Sequence, residues 1–101
     1  MDKDTKQVRR TELQVATALF MQDKPNLAAI ARECGVTRQM AWYWKRGDNV
    51  PSEMTAWRIV LSKAASEDTR RFANEVLDIY SRWDTEAREY SLTEEVLNNL
   101  R

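Results

Sequence analysis

Arg38, Gln39, Trp42, Tyr43, Lys45 and Arg46 lie within nine consecutive residues and combine the side chains that bind nucleic acid. An arginine can place two hydrogen bonds on guanine O6 and N7, and a glutamine can do the same with adenine N6 and N7. Each such fork discriminates between bases by roughly 1–3 kcal/mol. Trp42 and Tyr43 cannot make forks, but they suit thymine methyls, sugar edges or single hydrogen bonds to phosphate. Lys45 and Arg46 are expected to contact phosphate. At helical spacing Arg38, Gln39, Trp42, Tyr43 and Arg46, with Thr37, are read as lying opposite Val36, Ala41 and Trp44, which are expected to face a core.

A reading helix needs a support that fixes its angle, and residues 27–47, LAAIARECGVTRQMAWYWKRG, supply one. Leu27, Ile30, Ala31 and Cys34 make the inner face of a short helix for which Asn26 is a good N-cap. Gly35 gives the backbone freedom a tight turn needs. Thr37 caps a further helix running to about Arg46, and Gly47 closes it. Two short helices meeting at such a turn predict a helix-turn-helix, whose second helix enters the major groove of DNA. Asn26 and Thr37, with the amides that follow them, are then candidate clamps on the phosphate backbone.

The flanking segments predict further helices. Val8, Leu13, Val15, Ala16, Leu19 and Phe20 recur at intervals that suggest an amphipathic helix from Lys6 to Gln22, ended by Pro25. Ser52 caps a fourth helix, with Trp57, Val60, Leu61 and Ala64 expected to line one face. Ser66, followed by Glu67 and Asp68, opens a fifth. In it Ala73, Val76, Tyr80, Trp83, Ala87 and Tyr90 alternate spacings of three and four, about three heptads of an a/d seam. Ser91 and Glu94 fit a capping box, predicting a final short helix over Leu92–Leu100.

The bulk properties agree with one all-α domain. The chain has 101 residues, two glycines, two prolines and 43% hydrophobic content, leaving little room for hairpins or long linkers. One cysteine and no histidine exclude an intrachain disulfide, a multi-cysteine zinc site and histidine chemistry. Cys34 is expected to be a small buried residue, and Trp44 and Trp57 to be core. No apolar run is long enough to cross a bilayer and the N-terminus does not resemble a signal peptide, so the expected location is cytoplasmic. Formal net charge is zero, yet residues 1–65 carry 11 basic against 7 acidic groups and residues 66–101 carry 5 against 9. A basic head beside an acidic tail lowers non-specific attraction to phosphate and leaves more of the specificity to base contacts.

The segment GVTRQMAWYWKRGDNVP resembles the turn, recognition helix and following loop of small Cro/CII-type regulators of temperate phages and of related YdaS-like prophage regulators. The matching positions are Gly35-Val36, Thr37, Arg38, Ala41, Trp44-Lys45-Arg46 and Val50-Pro51, and the likeness extends over about Val8 to Ala65. It implies a repressor-like head of four or five helices, acting as a dimer or tetramer on repeated half-sites. Leu27 stands where many members carry a phosphate-touching glutamine, so that contact is not carried over. Adjacent outward aromatics are also unusual on a recognition helix.

The expected organisation is a helix-turn-helix head over residues 1–65 and C-terminal helices over 66–101, with Val76, Tyr80, Trp83, Ala87 and Tyr90 forming a seam that either joins a second copy, the reading favoured here, or packs on its own head. The expected function is a transcriptional regulator, repressor or activator, partnered by duplex DNA, a second copy and, for an activator, RNA polymerase. The competing reading is an antirepressor-like protein-interaction module using Trp42, Tyr43 and the acidic tail. No enzymatic activity, cofactor, metal or small-molecule ligand is expected, because no nucleophile–base pair or phosphate-binding glycine loop is present.

Overall fold

The structure, a computed structural model, describes the backbone of residues 3–99 and the side chains of residues 7–83. All regular structure among the described residues is helical, in the order α1 (Lys3–Met21), α2 (Leu27–Cys34), α3 (Arg38–Arg46), α4 (Glu53–Leu61) and α5 (Glu67–Asn99). This is the all-α fold that the composition predicts.

The starts and stops of the short helices follow from local chemistry. Asn26, Thr37 and Ser52 each sit in extended conformation and accept the amide three residues on, from Ala29, Met40 and Thr55. Gly35 and Gly47 take left-handed φ values of 66° and 83°. The amide after each glycine reaches back five residues, Val36 to Ala31 and Asp48 to Tyr43, both at 3.0 Å. The glycine amides bond to Arg32 and Trp44. Both helices thus end in the same paired closure, which satisfies carbonyls that would otherwise be orphaned.

The core draws on every helix. Leu13, Phe20 and Met21 of α1 meet Ile30 and Cys34 of α2, Trp44 of α3, and Ala56 and Ile59 of α4. Phe72, Ala73, Val76 and Ile79 of α5 complete it. Phe20 and Phe72 stack with ring centroids 4.1 Å apart. Burying side chains of this size stabilises by roughly 1.5–3 kcal/mol each. Trp44 is buried for its ring alone: its Nε1 has no hydrogen-bond partner.

Four expectations are corrected. Val8, Val15 and Leu19 are exposed, and the inner face of α1 is instead Leu13, Ala16, Thr17, Phe20 and Met21. Thr17 can join that face because its hydroxyl donates to the Leu13 carbonyl at 2.7 Å, leaving its methyl to pack. Trp57 and Leu61 also point outward, while Ala56 and Ile59 turn inward. The small Ala56 lets the α4 backbone approach its neighbours closely, which the bulk of Trp57 on that side would prevent.

The third correction concerns the C-terminal end. There is no separate helix over 92–100, since α5 continues unbroken to Asn99. No glycine or proline interrupts residues 67–99, so continuing the backbone ladder outcompetes a cap at Ser91. Fourth, the seam faces the protein's own head. Val76 is fully buried, the Tyr80 hydroxyl donates to the Pro51 carbonyl at 2.9 Å, and Trp83 Nε1 donates to Glu12 at 3.0 Å. Val76, Tyr80 and Trp83 thus pack on the protein's own head. The side chains of Ala87 and Tyr90 lie outside the described residues. Packing runs across the expected boundary at residue 65, so α5 is part of the head at least through Trp83.

Candidate nucleic-acid interface

α3 is held by its inner side, where Ala41 and Trp44 are almost wholly buried. Every residue expected on the opposite side is accessible: Thr37, Arg38, Gln39, Trp42 and Arg46 are exposed and Tyr43 is half-buried. The helix therefore presents one polar and aromatic face, anchored from behind by an alanine and an indole.

The groups on that face are mutually ordered. Gln39 Nε2 donates to the Tyr43 hydroxyl at 3.0 Å, one helical turn away. This leaves the Gln39 carbonyl, its second N–H and the Tyr43 O–H available to a partner. The Arg46 guanidinium lies over the Trp42 ring, 4.5 Å from its centroid, and its Nε also pairs with Asp48 at 3.2 Å. Trp42 leans on Tyr43 with centroids 5.4 Å apart. Arg38, in the first turn, has no hydrogen-bond, ion-pair or ring partner among the described residues.

Three expected contact residues have structural duties as well. Lys45 Nζ donates to the Lys24 carbonyl at 3.0 Å, tying the end of α3 to the loop before α2. Asn26 is exposed, but its side-chain oxygen is occupied by the Ala29 amide. The Thr37 hydroxyl likewise receives Met40 N–H. In both helices the amides ahead of the capped one are left facing outward.

Comparison with known protein families, characterised proteins and solved structures returned no match. Among the described residues no group of histidine, cysteine or carboxylate side chains could hold a metal ion. Cys34 is buried, and burial pushes its thiol up to about 12, with Glu33 adding to the rise. At neutral pH it is therefore a protonated, unreactive core group.

Sequence reasoning missed the residues that lock the turn to the rest of the head. The Glu33 carboxylate, at the end of α2, accepts Ser66 N–H at 2.7 Å and the Thr69 hydroxyl at 3.3 Å, and so caps α5 from another helix. Lys24 pairs with Asp23 and Asp68 and sits over the Phe20 ring. Its ammonium is held above the usual lysine range by the Asp23 hydrogen bond first and Asp68 second. No local pattern announces the contacts of Glu33 with Ser66 and Thr69 or of Lys24 with Asp68, because these partners are more than thirty residues apart in sequence. Asn49 was missed also; its Nδ2 lies 3.3 Å from Met40 Sδ and its side-chain oxygen accepts Val50 N–H, seating the loop after α3 against that helix.

Proposed function

We propose that the protein is a sequence-reading DNA-binding regulator of transcription whose α3 enters the major groove. The observation that carries this reading is the outward face of α3, where Arg38 and the Gln39–Tyr43 pair stand free on a helix fixed from behind by Ala41 and Trp44. Arg38 reads guanine and Gln39 reads adenine by two-point hydrogen bonding. Trp42 fills space against a thymine methyl or sugar. Arg46, Lys45 and the leading amides of α2 and α3, beside Asn26 and Thr37, hold the phosphates. The likeness of residues 35–51 to phage Cro/CII-type and YdaS-like regulators adds that the protein serves a phage or prophage as repressor or activator.

A second reading has its own support. Lys45 and Arg46 are partly engaged inside the protein, while Trp42 is 42% exposed, as an antirepressor-like protein-interaction module would require. Selection of duplexes from a random library decides between them, with wild type beside Arg38→Ala/Gln39→Ala. The DNA reading expects the wild type to enrich a defined half-site, the double variant to lose it, and affinity to fall steeply with salt. A wild type that enriches nothing at low salt overturns that reading and leaves the protein-interaction module.

A further inference from the structure

The outer side of α4 carries large apolar side chains in a row. Met54, Trp57 and Leu61 stand 64%, 52% and 79% exposed at spacings of three and four, so they form one continuous apolar stripe on a nine-residue helix. Single exposed apolar side chains need no explanation, but a contiguous stripe rimmed by charge marks an interaction surface. Here the rim is specific. With Met54 and Leu61 at a positions and Trp57 at d, Glu53 falls at g and Arg58 at e. Neither forms an ion pair among the described residues, and Arg58 Nη2 lies along the stripe, 3.6 Å from Met54 Sδ.

That order of charges identifies the occupant. In a parallel helix pair the g residue of one strand meets the e residue five positions on in the other, so Glu53 of one copy would face Arg58 of a second, twice by symmetry. An antiparallel pair would set Arg58 against Arg58. We infer that α4 is a self-association surface, on which two copies pair their α4 helices in parallel about a two-fold axis with Trp57 at the seam. The apolar stripe of α1, Val8, Val15 and Leu19, lacks such a code, because its g positions are Gln7 and Gln14. A stable dimer buries about 1,600 Å², more than one nine-residue helix pair supplies, so the association is reversible and concentration-dependent.

Sedimentation equilibrium of the full chain without DNA tests this independently of the DNA reading. The wild type is expected to show a monomer–dimer equilibrium, weakened roughly thirtyfold or more by Trp57→Glu, the usual weight of an anchoring aromatic. Val15→Glu is expected to leave the equilibrium unchanged. Glu53→Arg is expected to weaken the dimer and Glu53→Arg/Arg58→Glu to restore it, with circular dichroism confirming that each variant is folded. A wild type that stays monomeric up to its solubility limit overturns the inference. So does a dimer lost on Val15→Glu but kept on Trp57→Glu, or a charge exchange that fails to restore pairing.

Discussion

Tyr43 gives Gln39 an orientation that a solvated glutamine lacks. A free glutamine would lose side-chain entropy on meeting a base edge. The Gln39 amide is already held at 3.0 Å by the Tyr43 hydroxyl, with its carbonyl and second N–H left over. If Gln39 reads a base as proposed, Tyr43→Phe is expected to reduce the preference for that base roughly tenfold, the weight of one hydrogen bond, while overall affinity for DNA changes little. Competition binding with duplexes altered at that position checks it, and an unchanged preference would show that Tyr43 has no orienting part. Cys34 belongs to the same scale. Its folded-state value near 12 stands above an ordinary value near 9. Above pH 9 the unfolded chain loses the thiol proton while the native protein keeps it, so stability present below pH 9 is lost as the pH climbs toward 12. Urea midpoints measured across that window are expected to fall less steeply in Cys34→Ala than in the wild type.

At the scale of elements, Glu33 ties α2, the helix that meets α3 at the turn, to the start of α5. Glu33 serves as a cap for α5 although it belongs to the helix that supports the turn. Glu33→Ala is expected to cost about 1 kcal/mol, as the loss of a helix cap does, and a denaturant titration measures it; no change would mean that Ser66 alone suffices. This scale also shows what a sequence discloses. The caps Asn26, Thr37 and Ser52 and the closures at Gly35 and Gly47 were legible because each depends on residues three to five apart. The outward set on α3 was legible because Ala41 and Trp44 fix which side goes in. Helices α1 and α4 were misread because both carry large apolar residues on two sides, and the choice between Trp57 and Ala56 is made by neighbours distant in sequence. The direction of the α5 seam was ambiguous for the same reason: a heptad pattern states that a face is buried, not by what.

Over the whole molecule, charge is divided rather than balanced. Residues 84–101 contribute Asp84, Glu86, Glu89, Glu94 and Glu95 against Arg88 and Arg101. Exchanging those five carboxylates for amides moves the formal net charge from zero to +5. On the proposed DNA reading, the exchanged protein is expected to bind random duplex more tightly at low salt, with unchanged preference for a selected site. Fluorescence anisotropy on random and selected duplexes compares the two, and an altered site preference would place the tail in base reading.

The four tryptophans occupy four different surroundings: Trp44 is sealed in the core, Trp83 bonds to Glu12, Trp42 lies under Arg46, and Trp57 stands in water. Indole emission shifts to the blue in apolar surroundings and is altered by stacking. If both proposals hold, the chain carries an intrinsic optical channel for each event, Trp44 for unfolding, Trp42 for contact with DNA and Trp57 for pairing of copies. Variants retaining one tryptophan at a time would let the three be followed separately in a single cuvette, without a label.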